Sequence, residues 1–188
     1  MVYVDVEVVE RPLPKPTAEE YAAARLLEAL VEARLALEFL QRGLVRNAAG
    51  KAFQAWRALL AALLKLEIDK LLQKAKTEEE KRWLMERAVP RIPTTKMVRL
   101  SQMIEEVGHV GIPAWTSVAL DLHDYQYNGP DPDMALSKFR HREEAALAVL
   151  GLVKEVAKRA EELRQRVKWG GELEEALNAL KDELKRRV

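Results

Sequence analysis

Gly43-Leu44-Val45-Arg46-Asn47-Ala48-Ala49-Gly50-Lys51-Ala52-Phe53-Gln54-Ala55-Trp56-Arg57-Ala58-Leu59-Leu60-Ala61-Ala62-Leu63 decides the fold. From Val45 it reads as a helix that continues to about residue 74, roughly 45 Å at 1.5 Å per residue. Its first half carries Ala48, Ala49, Gly50, Ala52 and Ala55, small enough for a second helix to approach closely. Its second half, residues 58–64, is apolar on every side, so it belongs at the centre of a bundle rather than on its surface. A chain arranged around such a helix is all-α.

The flanking segments repeat that pattern. Thr17 and Glu20 have capping-box spacing, predicting a helix over residues 18–41 with Gly43 as its stop. Thr77 followed by Glu78, Glu79 and Glu80 predicts an N-cap, and that helix is expected to end before Pro90. Residues 95–107 form a fourth helix stopped by Gly108. A fifth starts at Pro113 and runs to about Tyr127. Asn128-Gly129-Pro130 makes a turn, and a long sixth helix is expected over residues 134–168, capped by Asp133 or Ser137. Trp169-Gly170-Gly171 is a hinge. The last helix, residues 172–187, spaces Leu173, Leu177, Leu180 and Leu184 as a coiled-coil seam. At the other end, Val2, Val4, Val6 and Val8 alternate with polar residues as a short strand does, and Pro12, Pro14 and Pro16 make a stiff linker. The expected fold is therefore an all-α, up-and-down helical bundle with a short N-terminal β-strand arm. Its parts are a strand and proline linker (1–16), a bundle (17–168) and a C-terminal helix (171–188).

Composition narrows the function classes. The 188 residues are 48% apolar and 32% charged, with a formal net charge of +1. That balance supports one folded core and gives no global field toward nucleic acid or anionic lipid. The chain has no cysteine, which removes disulfides, thiolate nucleophiles and Cys-zinc sites and suits a cytoplasmic protein. No apolar run reaches the ~20 residues of a membrane span, and Met1 to Val9 lacks the basic start of a signal peptide. Scarce Asn and Gln beside abundant Arg, Glu and Leu are a compositional hint of a thermophilic source.

Chemistry-bearing side chains crowd into Leu120 to Asp133. On a helix His123 shares a face with Tyr127, and Asp124 with Asn128. A histidine beside carboxylates is a candidate general base or phosphate ligand. The plainer reading is a half-buried histidine hydrogen-bonded to a neighbouring helix. Metal binding would need three or four converging ligands. No His-x-x-x-His or Glu-x-x-His pair surrounds His123, and Asp131 and Asp133 suit a turn and a cap, so neither a metal nor a cofactor is expected. Tyr125 and Tyr127 are candidate base-stacking residues or the rim of a core. Arg46, Lys51 and Arg57 form one basic series; Arg82, Arg87, Arg91, Lys96 and Arg99 around Trp83 form another. Each is a candidate phosphate-contacting surface or a solvated face paired with glutamate. No serine-nucleophile elbow, phosphate loop or dinucleotide fingerprint is present.

The stretch quoted first, together with Leu122-His123-Asp124-Tyr125-Gln126-Tyr127-Asn128-Gly129-Pro130-Asp131 and Arg142-Glu143-Glu144-Ala145-Ala146, resembles the archaeal PaREP family of helical proteins. The resemblance covers roughly residues 17–162, and Pro93-Thr94-Thr95 also fits it. That family looks related to the HEPN superfamily of small helical bundles. The relationship implies a homodimer that binds a nucleotide or RNA, or works as one half of a pair with a nucleotidyltransferase-like partner protein. Some HEPN proteins are metal-independent ribonucleases of toxin type, carrying Arg, four to six residues, then His. Here Thr116, Ser117 and Val118 hold the positions where that Arg would precede His123. The expectation is therefore a binding or interaction module, with His123, Tyr127, Asn128 and Arg46 around the ligand. The competing reading is a ribonuclease in which His123 is catalytic and borrows an Arg from elsewhere.

Overall fold

The computed structural model describes residues 7–186, and its regular structure there is entirely helical. Val2, Val4 and Val6 of the expected strand lie outside the described residues. Val8 lies in a single helical turn, α1 (Glu7–Glu10), so a strand arm is not supported. A lone strand has no edge to pair with, and here Val8 instead helps line a cleft with Leu13, Leu27 and Leu173.

The core is a hairpin of two long helices. α2 (Tyr21–Gln41) turns at Gly43, whose φ of +72° suits a residue without a Cβ, and returns as α3 (Val45–Leu66). α2 begins three residues later than its sequence pattern predicts. Glu20 stands at the N-cap and no side chain caps it, so the Thr17–Glu20 capping box does not form. The first turn is anchored instead by Tyr21, buried and donating its hydroxyl to the Val89 carbonyl at 2.9 Å. α3 is buried along nearly its whole length, and every residue from Ala58 to Leu64 is at most 1% exposed. The all-round apolar run therefore does cross the centre. The helix stops sooner than predicted. Glu67 adopts φ −100°, ψ 7°, and a separate short helix α4 (Ile68–Lys74) follows.

Thr77 caps α5 (Glu78–Trp83) as predicted, its hydroxyl accepting from the Glu80 amide. The chain does not leave the helix before Pro90. It widens into a π-turn over Leu84–Ala88 and continues as α6 (Val89–Arg91) before Ile92 turns left-handed. A proline clashes with the carbonyl four residues back, and a π-turn relieves that clash. The carbonyls near the break are used: Tyr21 takes Val89 and Arg25 takes Pro90. After a 3-10 turn (Thr94–Lys96), α7 (Met97–Glu106) leads to α8 (Ile112–Asn128), with Pro113 in its first turn.

The longest departure follows α8. Residues 129–141 are not helical, and α9 spans Arg142–Glu162. Asp131 explains the loop. Its carboxylate accepts from the amides of Asp133, Leu136 and Ser137, and those bonds compete with helix formation. Neither Asp133 nor Ser137 caps α9; His141 and Glu144 form its capping box. α10 (Gly171–Lys185) closes the bundle. Its leucine seam is buried within the same chain: Leu173, Leu177 and Leu180 are at most 4% exposed, with α10 packed on α2 and α9. The seam therefore offers no surface to a second copy. Among the described residues, no helix is long and apolar enough to cross a membrane.

Candidate functional site

α8 lies across α3, with a small residue at the contact. A Cβ on Gly50 would come within 2.6 Å of the Gln126 side chain, so the Gln126 amide occupies space that a glycine leaves open. One turn further along α3, the Phe53 ring stacks on the His123 ring, centroids 4.2 Å apart. One more turn along, the Arg57 guanidinium sits 5.9 Å from the centroid of the same Phe53 ring, at the outer edge of cation–π range. On the α8 side, Tyr127 meets His123 edge-on at 5.2 Å and is 64% exposed. Gly50, Phe53 and Arg57 thus face His123, Gln126 and Tyr127.

The polar atoms of this seam are incompletely satisfied. His123 Nδ1 and Gln126 Oε1 are buried without hydrogen-bond partners among the described residues. Burial lowers the His123 pKa, Asp124 pulls it the other way, and Arg57 lowers it further. The imidazole is therefore neutral at pH 7, able to donate through one nitrogen and accept through the other. Arg57 is half-buried and has neither a hydrogen bond nor a carboxylate partner among the described residues. The acids nearest it in effect are already paired. Glu28 holds Arg25 at 2.8 Å, and the buried Glu32 holds Lys51 at 2.9 Å. Burial and the Arg25 charge together lower the Arg57 pKa. A guanidinium in this setting favours an incoming anion, because an uncompensated charge in a partly dry site is costly.

The four ligand residues expected from the sequence separate into two pairs. His123 and Tyr127 are together. Arg46 and Asn128 are spent on the main chain. Arg46 donates from Nε to the Gln126 carbonyl at 2.9 Å and from Nη2 to the Tyr127 carbonyl, closing the end of α8. Asn128 Nδ2 donates to the Asp124 and Leu136 carbonyls. The cavity beside Arg46, about 290 Å3, is lined by Tyr125, Pro130 and Arg142 and not by His123. Arg57, which replaces Arg46 beside the histidine, was legible only as one member of a basic series. Its signal is the i, i+3, i+7 spacing of Gly50, Phe53 and Arg57 on one face of α3.

The acidic residues around His123 do not gather. Asp131 is occupied by backbone amides, which hold its carboxyl below the usual range. Burial raises the Asp121 carboxyl while Lys138 opposes it. No group of three His, Cys, Asp or Glu side chains converges among the described residues.

The other ring of interest, His109, is engaged by a carboxylate. Its Nε2 lies 2.8 Å from the carboxylate of Glu67, which is 1% exposed. The same carboxylate receives Arg166 and, at 2.7 Å, Lys70. Burial alone would raise this carboxyl; Arg166, Lys70 and His109 outweigh it and hold the pKa down to about 2.

No curated protein and no solved structure matched the chain. The model of the archaeal PaREP1/PaREP8 family matches residues 24–150, a span that begins in α2, takes in both faces of the Arg57–His123 seam and reaches well into α9. That span is more than half of the 188 residues, and the chain belongs to the archaeal PaREP1/PaREP8 family.

Proposed function

We propose that this protein is a HEPN-like binding module of the cytoplasm that holds a phosphate-bearing ligand, a nucleotide or a segment of RNA, at the seam of α3 and α8. One observation supports the reading: among the described residues, Arg57 is a half-buried cation with no ion-paired carboxylate, beside a neutral, incompletely bonded His123. The phosphate accepts from Arg57, and a base stacks on the exposed Tyr127 ring. Arg46 and Asn128 act indirectly by fixing the helix end that carries Tyr127.

The test is an anisotropy titration with a labelled single-stranded RNA and with nucleoside 5′-monophosphates as competitors. Arg57→Ala is expected to weaken binding by about 10- to 100-fold, the worth of one charge-assisted hydrogen bond. Failure of the wild-type protein to bind either ligand, or equal binding by the variant, sinks the proposal.

A second reading, a metal-independent ribonuclease of toxin type, is favoured by the same pair. Arg57 is an arginine from a distant helix packed on the ring that His123 stacks on, and a neutral imidazole can serve as a general base. RNA digestion by the wild-type protein that vanishes in His123→Ala supports the enzyme. Binding without digestion supports the module. Co-purification with a nucleotidyltransferase-like partner would place the module in a two-protein pair.

A further inference from the structure

The chain holds three asparagines in 188 residues, Asn47, Asn128 and Asn178. Asn47 and Asn178 lie inside α3 and α10, each followed by alanine. Asn128 is followed by Gly129. In that dipeptide an asparagine cyclises most readily, because no side chain hinders the attacking amide nitrogen. The chemistry needs neither an enzyme nor a cofactor. The Gly129 backbone nitrogen loses its proton and attacks Asn128 Cγ. The side-chain nitrogen leaves as ammonia, and a succinimide ring forms. Water then opens the ring at one carbonyl or the other, giving aspartate or isoaspartate. In a chain this poor in asparagine, the most reactive setting sits at the C-terminal end of α8, where the 129–141 loop begins.

Three features of the fold oppose that attack. The Gly129 amide donates to the Tyr125 carbonyl at 2.8 Å, so the nucleophile is engaged. Asn128 Nδ2 donates to the Asp124 carbonyl at 2.9 Å and to the Leu136 carbonyl at 3.1 Å, so the side-chain amide is held by helix and loop together. Asn128 is also the last residue of α8, and a helical ψ keeps the following nitrogen away from the side-chain carbon. Each member of the dipeptide has a structural reason to be there. Gly129 takes φ +70°, ψ −161°, a conformation open to glycine. The Asn128 amide offers two donors where an aspartate would offer none. We infer that Asn128 is a latched deamidation site. While the 129–141 loop stays tied to α8, the side chain is chemically protected. Once the loop opens, conversion to aspartate or isoaspartate releases it irreversibly. The new carboxylate faces the Asp124 and Leu136 carbonyls without a proton to offer, and it adds negative charge at the negative end of the α8 dipole. The isoaspartate product also adds a methylene to the main chain. Asp131 is the second tie of the same loop, accepting from the Leu136 and Ser137 amides. Its removal therefore loosens the latch without touching the reacting atoms.

Peptide mapping by mass spectrometry tests the inference on the full chain, since each deamidation raises the mass by about one dalton. Samples are held warm at one pH, folded in buffer or unfolded in guanidinium chloride. Asn128 is expected to convert at least about 10-fold more slowly in the folded chain, the ratio being set by loop opening. Asp131→Ala is expected to speed conversion of folded Asn128 by about 10-fold, with Asn47 and Asn178 unchanged. Asn128→Asp reads the consequence directly: amide hydrogen exchange across residues 129–141 should quicken by about 10-fold while the amides of α3 keep their rates. Unchanged α3 exchange in both variants separates an opened loop from a lost fold. Equal conversion of Asn128 in the folded and unfolded chain, no acceleration in Asp131→Ala, or wild-type loop exchange in Asn128→Asp overturns the inference.

Discussion

Two histidines of this chain show how differently the two ends of the bundle are finished. His109 meets a buried carboxylate that is also ion-paired with Arg166 and Lys70. Among the described residues, His123 stacks on Phe53 with its Nδ1 unbonded, beside the Arg57 guanidinium, which no carboxylate approaches to ion-pair distance. A closed cluster of that first kind is a device for holding parts together. It ties the α3–α4 break, the α7–α8 connection and the segment after α9 to one point. An open cluster of the second kind stores electrostatic cost that a ligand can relieve. The fold therefore places an ion-paired histidine and an incompletely bonded one fourteen positions apart in sequence, the first in the α7–α8 connection and the second within α8.

The largest expected effect breaks the closed end. Glu67→Ala should lower folding stability by about 3 kcal/mol in urea denaturation, because it strands His109 near two cations and removes a buried charge network. Acid should achieve the same without mutation. The Glu67 pKa is lowered in the folded state to about 2, against about 4.5 when unfolded. Its contribution is therefore complete above pH 4.5 and is lost as the pH falls toward 2. A melting-temperature profile that drops steeply across that window in the wild type, and less in Glu67→Gln, is the expected result. A smaller loss should begin earlier. His123 has a lowered pKa, so the stability it contributes is complete above pH 6.5 and declines as the pH falls below that. His123→Gln should flatten this upper shoulder and leave the acid drop in place.

The open end should respond in the opposite sense. Arg57→Ala should leave stability within about 0.5 kcal/mol of wild type, or raise it, since no paired charge is broken. Ligand binding should nevertheless fall by the amount stated above. The smallest effect concerns the helix crossing. Gly50→Ala should be near neutral alone, because the Gln126 amide must move to admit the methyl group. In a Gln126→Ala background the same substitution should stabilise by about 0.5–1 kcal/mol, the intrinsic helix preference of alanine over glycine. Thermal denaturation of the four proteins completes this cycle.

Much of the fold was readable because burial of α3 follows directly from an apolar run with no polar side. The Thr77 cap, the Gly43 stop and the Pro113 start follow from local chemistry and appear where expected. The departures occur where a distant partner intervenes. Thr17 fails as a cap because Tyr21 is anchored by Val89, 68 residues away. Pro90 fails as a stop because a π-turn accommodates it. Residues 134–138 carry Met, Ala and Leu as a helix would, but the Leu136 and Ser137 amides belong to Asp131. The site divides in the same way. His123 and Tyr127 are four residues apart on one helix, so their contact follows from periodicity alone. Arg57 is 66 positions from His123, and only the packing of α8 on α3 brings them together. Arg46 and Asn128 looked like ligand residues because polar side chains near a turn fit both roles; the carbonyls at the end of α8 decide between them.

The central claim is that His123 faces a ligand and His109 does not. Ring proton NMR measures both at once, since the chain holds only three histidines and each can be assigned by substitution with glutamine. On titration with a nucleoside 5′-monophosphate at pH 7, the account predicts a saturable shift of the His123 ring signals, lost in Arg57→Ala, with the His109 signals stationary. A stationary His123, a His123 shift that persists in Arg57→Ala, or a ligand-dependent shift of His109 would contradict it.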